Sequence, residues 1–127
     1  MGTIFKNRKK YSGDRKVEQY STDEQFTGKF WIDGKPIYKK VINFGALPNY
    51  TSKTANINAP VDWIVSCHGM AFSGTYFITI PYVAGRSNAQ NRVALYATRS
   101  VIAIESGYDA SGYTECYVII EYTKTTD

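Results

Sequence analysis

The side chains with the widest chemistry in this chain are few: one histidine, His68, two cysteines, Cys67 and Cys116, and eleven carboxylic acids. Cys67 and His68 are neighbours. Within a strand, neighbours point to opposite faces, so the two can neither clasp one metal ion nor act as a nucleophile and its base without distorting the backbone. Adding Cys116 still leaves fewer than the usual four zinc ligands, and the sequence therefore implies no metal and no cofactor. The two cysteines could pair, but a cytosolic origin favours free buried thiols. Glycoside hydrolysis needs two facing carboxyl groups, and nothing marks such a pair. Asp23 and Glu24 sit in a polar run, Glu105 and Asp109 flank a glycine loop, and Glu115 and Glu121 read as outward-facing. Glycine loops that cradle phosphate are missing as well. The expectation is a protein that binds rather than catalyses.

Binding chemistry is easier to find. Tyr, Ser, Asn and Gly gather in two stretches, "YVAGRSNAQN" (Tyr82 to Asn91) and "SGYDASGY" (Ser106 to Tyr113). Such a mixture joins rigid aromatic area to adaptable hydrogen bonding. Aromatic faces stack on the C–H surfaces of sugars while amides, carboxylates and guanidinium groups satisfy hydroxyls. Within these stretches Tyr82, Arg86, Asn88, Gln90, Tyr108 and Asp109 are the candidate ligand-binding residues. The competing reading is that both are ordinary turns, which are rich in the same residue types.

Whatever these residues do, strands must hold them. Strand signals run from Thr27 to Ile32, Ile37 to Phe44, Ser52 to Ile57, Trp63 to Phe72, Thr75 to Tyr82, Arg92 to Arg99, Val101 to Glu105 and Tyr113 to Thr123. Helical signals hardly occur. Short strands at this spacing predict an all-β, antiparallel, jelly-roll-like β-sandwich, with a barrel as the alternative. Asp33-Gly34, between two apolar runs, predicts a hairpin turn in which both central positions favour φ > 0. Period two then divides faces. Val93, Leu95 and Ala97 share one side of their strand and Arg92, Tyr96 and Thr98 the other. Cys116, Val118, Ile120 and Tyr122 lie opposite Glu115, Tyr117, Ile119 and Glu121. Tyr96, Tyr117, Ile119 and either Phe30 or Trp31 are thus left on outer faces, a surplus that predicts a subunit interface or ligand surface.

The charge is unevenly spread. Lys6, Arg8, Lys9, Lys10, Arg15 and Lys16 oppose only Asp14, so residues 1–16 form a basic arm of net +5, with a possible small hairpin between residues 4 and 11. Residues 17–127, the sandwich domain, carry the remaining −1 of the overall +4. A basic arm can bind phosphates without sequence preference, but a solvated or partner-docked tail is the favoured reading, and nucleic acid is not the expected partner. Apolar runs stay well short of a membrane span, and the N-terminus has no signal-peptide layout. Membrane insertion is therefore not expected, and synthesis in a cytosol is. Asn49-Tyr50-Thr51 fits the glycosylation triplet and is read simply as a loop.

Tyr20 to Asn49 carries Tyr20, Ser21, Thr22, Glu24, Gln25, Gly28, Trp31, Asp33, Gly34, Lys35, Pro36, Tyr38 and Lys40. This pattern resembles a segment of tail-fibre and baseplate receptor-binding proteins of bacteriophages and prophages, especially of Gram-positive hosts. The closing "YVIIEYTKTTD", Tyr117 to Asp127, is similar to the usual carboxyl end of that family. The resemblance implies a β-sandwich head, usually trimeric, at the tail tip of a virion, made in the host cytoplasm and binding a bacterial cell-surface saccharide alongside other virion tail proteins. It equally allows a structural or assembly protein that trimerises and caps a fibre or baseplate without touching a receptor. The shared pattern is a structural signature: Asp33-Gly34 is read as a turn and Lys39-Lys40 as solvent-side residues. Family members commonly have fibre or docking segments upstream, whereas nineteen residues precede the motif here, implying a small standalone protein or a piece of a longer one.

Overall fold

A computed structural model describes residues 19–85 and 90–127. The basic arm and its possible hairpin lie outside them. Among the described residues there are nine strands and no helix. They are β1 (Gln25–Phe30), β2 (Pro36–Asn43), β3 (Ser52–Asn56), β4 (Val61–Phe72), β5 (Phe77–Ile80), β6 (Tyr82–Val83), β7 (Arg92–Ala97), β8 (Val101–Ser106) and β9 (Glu115–Lys124). All pairings are antiparallel, in a five-stranded sheet of order β1-β2-β9-β4-β5 and a four-stranded sheet of order β3-β8-β7-β6. Their inner faces share one core, as the all-β sandwich reading requires.

β9 lies in the middle of the larger sheet, and its alternation is the sharpest in the chain. Cys116, Val118, Ile120 and Tyr122 are completely buried, while Glu115 and Tyr117 face outward and Ile119 and Glu121 are half-covered. From the facing sheet come Val93, Ile102 and Ile104, also buried. Burial of one such side chain contributes about 1.5–3 kcal/mol, so this interdigitated layer is the main source of cohesion. Gly69 of β4 is part of its fit. A Cβ there would stand 2.8 Å from the carbonyl oxygen of Tyr117 and 3.3 Å from Val118 Cγ2, so the close approach of β4 to β9 excludes any side chain.

Several expectations change. The run read as one strand from Thr75 to Tyr82 is two: β5 belongs to the larger sheet and β6 to the smaller, with Pro81 between them. Proline has no N–H for a ladder, so pairing breaks where the chain changes sheets. In the turn of the opening hairpin only Gly34 takes a left-handed backbone, at φ +88°. The N–H of Gly34 donates to the Trp31 carbonyl at 2.9 Å and that of Trp31 to the Lys35 carbonyl at 2.9 Å. The loop thus holds three residues, Ile32, Asp33 and Gly34, with Asp33 Oδ1 accepting from the N–H of Lys35 at 3.0 Å. This is the type I turn with a glycine bulge, not the two-residue turn.

Lys39 and Lys40 are not solvent-side residues. Adjacent strand residues point to opposite faces, so both could not have been. Lys40 lies on the core-facing side, opposite Ile120, and its Nζ donates to the Ile57 carbonyl at 2.8 Å, tying β2 to the end of β3. Lys39, on the other side opposite Glu121, is only 6% exposed, with its ammonium 4.4 Å from the centre of the Tyr20 ring. Its long stem is covered while the charge meets an aromatic face.

The cysteines are free. Cys67 pairs with Ile120 and Cys116 with Ala71, four residues along β4 from Cys67. Four residues of strand is about 13 Å, beyond any disulfide. Both thiols are pushed up to about 11 by burial. His68, opposite Ile119, stands exposed on the other face from Cys67, as period two requires.

Candidate functional site

The connections 44–51, 73–76 and 107–114, with residues 84, 85, 90 and 91 between β6 and β7, all lie at one end of the sandwich. Two of them are laced together. The N–H of Tyr50 donates to the Tyr108 carbonyl at 3.0 Å, that of Leu47 to the Tyr113 carbonyl at 2.9 Å, and Ser106 Oγ to the Pro48 carbonyl at 2.8 Å. Asn49 and Asp109 form an isolated bridge. On its other side the 107–114 connection rests on β7. The N–H of Gly107 donates to the Arg92 carbonyl at 2.9 Å, and a Cβ on Gly107 would lie 2.8 Å from the Gln90 carbonyl oxygen. A side chain there would force the two candidate loops apart, so their contact depends on that glycine.

Of the six candidate residues, Tyr82, Gln90, Tyr108 and Asp109 come to this same end, and Arg86 and Asn88 lie outside the described residues. Tyr82 and Tyr108 are half-buried against the core, so each ring is anchored. Gln90 is exposed. Asp109 is exposed too, but its Oδ1 accepts from the Ser111 N–H at 3.0 Å and the Ser111 hydroxyl at 2.6 Å. Those bonds hold its carboxyl below the usual carboxylate range, and they make it a residue that shapes the loop with its second oxygen left over.

The sequence reading missed three members of the cluster. Tyr113, Tyr76 and Tyr50 join Tyr82 and Tyr108, with Tyr50 and Tyr76 largely exposed. The phenols of Tyr76, Tyr82, Tyr108 and Tyr113 are close enough to sense one another, while Tyr50 is tied in through its backbone N–H to the Tyr108 carbonyl. Burial, and then the neighbouring Tyr113 and Tyr82, pushes Tyr108 up, while burial followed by Tyr82 and Tyr76 pushes Tyr113 up. Both remain neutral donors and acceptors across the ordinary pH range. Each of the missed tyrosines stands within two positions of a turn residue (Asn49, Gly74, Gly112), and that proximity was the available signal. Phe72 and Phe77 stack beside this end with centroids 4.4 Å apart, Phe77 mostly exposed. The assembled chemistry is flat aromatic area with neutral hydroxyls and one amide, suited to a polyhydroxylated ligand.

A second surface lies on the outer face of the larger sheet. Register places Val41, Ile119 and His68 in one row across it, and Asn43, Tyr117, Met70 and Thr79 in the next. Met70 and Tyr117 are nearly half exposed, and with Phe77 they make a continuous apolar strip. Here the surplus predicted from Tyr117 and Ile119 is real; Tyr96, half exposed, stands apart on the smaller sheet. No family model, curated protein or solved structure matches the chain.

Proposed function

We propose that this chain is a non-enzymatic receptor-binding head domain of a phage or prophage virion, whose tyrosine-bearing end binds a bacterial cell-surface saccharide. The observation that carries the reading is the convergence of Tyr50, Tyr76, Tyr108 and Tyr113, on three adjoining connections, with Tyr82 of β6 at one end of a rigid sandwich. Loops on a stiff scaffold can change contacts without disturbing the core. The motif from Tyr20 to Lys40 and the closing Tyr117 to Asp127 add the phage-family resemblance. A homotrimer at the tail tip would repeat a weak site three times and hold a cell by avidity.

The second reading is assembly without recognition, favoured by the apolar strip of Val41, Ile119, Met70 and Tyr117, a surface suited to burial against another copy. One experiment separates them. An array of Gram-positive wall polysaccharides is probed with the protein and with Tyr108→Ala, and light scattering gives the mass of each. Saccharide capture by the parent that Tyr108→Ala weakens, in a variant that stays folded at unchanged mass although its melting temperature falls with the lost core packing of the ring, is expected. Equal capture by both sinks the assignment to these loops. An oligomer that captures nothing favours assembly, and a mass of 14.3 kDa at micromolar concentration removes the trimer.

A further inference from the structure

At the opposite end of the sandwich lie the β1–β2 hairpin, the 57–60 connection and the β7–β8 turn. β5 pairs with β4 only from Gly69 to Phe72, so the first half of β4 is a sheet edge, and its register slips twice, between Val61 and Ile64 and between Ile64 and Ser66. Bulges re-aim side chains and open the ladder. Beside this stretch a cleft of about 350 Å³ is lined by Asp62, Trp63, Ile64, Ala97, Thr98 and Arg99.

Three features make it more than a gap between strands. Trp63 is 54% exposed, although an indole is among the costliest side chains to leave in water. It is held in place, because Trp31 stacks on it with centroids 6.4 Å apart and planes 22° from parallel. Next to it Arg99 is fixed at its base, Nε donating to the Asp62 carbonyl at 2.8 Å, while Nη2 is 3.8 Å from Asp62 Oδ1, too long for a hydrogen bond, and the side chain stays 71% exposed. The guanidinium fork is thus aimed and still has donors to give. Asp62 is steadied by Lys35 through Oδ2 at 2.9 Å, leaving Oδ1 as an acceptor.

We propose that Trp63, Asp62 and Arg99 form a second ligand site, for a neutral hexopyranose, at the end of the sandwich opposite the tyrosines. The C–H face of a pyranose stacks on an indole, and neighbouring hydroxyls pair with a carboxylate acceptor and a guanidinium donor standing side by side. Ile64 and Ala97 supply an apolar wall. Charge selects against an acidic sugar. Lys35 and Arg99 are met by Asp62, and Asp33 and Asp127 lie within electrostatic reach of Lys35, so the end has no positive surplus to attract an anion. The inference stands whether or not the tyrosine end binds anything.

Trp31 and Trp63 are the only tryptophans, so tryptophan emission reports this end alone. In a Trp31→Phe background, which keeps an aromatic partner in the stack, the protein is titrated with methyl β-D-glucopyranoside, methyl β-D-galactopyranoside and the methyl glycoside of N-acetyl-D-glucosamine, from about 1 to about 100 mM, the range suited to a single weak contact. A saturable change in Trp63 emission with at least one of them is expected. Arg99→Ala and Asp62→Ala should each weaken it about tenfold through a lost hydrogen bond, and Tyr108→Ala should leave it unchanged. Emission indifferent to all three glycosides overturns the site, as does a response that Tyr108→Ala abolishes. Saccharide capture through Tyr108 with silent Trp63 emission rejects this site and leaves the tyrosine-end reading standing, while the reverse result does the opposite.

Discussion

Gly34 separates what a dipeptide can tell from what it cannot. Asp-Gly between apolar runs announces a turn, and the turn is there, but the same two residues suit a two-residue loop or a three-residue loop with a glycine bulge. The register decides: Phe30 lies opposite Pro36, and β1 carries extra residues between Phe26 and Phe30. Such offsets depend on which side chains must reach the core, information spread over β2 and β9 and not present in the turn. The prediction at this position is nevertheless firm. At φ +88° a β-branched side chain is strained, so Gly34→Val should cost about 1–3 kcal/mol in urea denaturation. Asp33→Asn should be nearly silent, since an amide oxygen can still accept from the Lys35 N–H. Equal midpoints for parent and Gly34→Val would mean that the hairpin tolerates another loop geometry. At the same scale the tyrosine cluster was half legible. Tyr82, Tyr108 and Tyr113 sat in visibly loop-like stretches, whereas Tyr50 and Tyr76 join them only through the folding together of separate connections.

Strands were largely legible because a half-buried strand writes its period into the sequence, as in the alternation from Cys116 to Tyr122. Lysines on inner faces were not. Lys53 belongs to β3, an edge strand of the smaller sheet, at a position paired with the buried Ile104. Its ammonium reaches back to the carbonyls of Ala46 at 2.7 Å and Phe44 at 3.1 Å and lies 5.0 Å from the centre of the Phe44 ring. Lys40 performs the matching task from β2 toward Ile57. Both lysines sit beside strand edges, where inward-pointing charge also discourages pairing with other chains. Hydrophobic patterning scores such residues as surface, and only the carbonyls left over by the 44–51 connection reveal their use. Lys53→Met keeps the apolar stem and removes the donor, leaving two carbonyls short of a partner. A loss of about 1.5–3 kcal/mol is expected from removing charged hydrogen bonds. Chemical denaturation of the parent and variant reads it directly, and a variant as stable as the parent would show that water satisfies those carbonyls equally well.

Across the whole molecule, one cluster joins the segment before β1 to the last strand. The hydroxyl of the fully buried Tyr122 donates to Glu24 Oε1, Lys124 Nζ donates to Glu24 Oε2 at 2.6 Å, and the same ammonium sits 4.0 Å from the centre of the Tyr38 ring. Residues ninety-eight and one hundred positions apart are thereby clamped, a contact no local pattern announces. Burial on its own would push the Glu24 carboxyl up, but the hydrogen bonds from Lys124 and Tyr122, with the Lys124 charge, hold it below the usual value of 4.5. A carboxyl depressed in the folded state contributes stability that is present above its unfolded value and is lost as pH falls through the folded one. Stability should therefore decline on the acid side, from just above pH 4.5 downward. Asp62 and Asp109, also depressed, by Lys35 and by Ser111, add to the slope. Glu24→Gln removes the Glu24 part: it should be less stable than the parent near neutrality and lose less on going to pH 3, so that the two denaturation curves converge in acid. Parallel curves over that range would mean that Glu24 titrates as it does in the unfolded chain and that the clamp holds through its neutral hydrogen bonds alone.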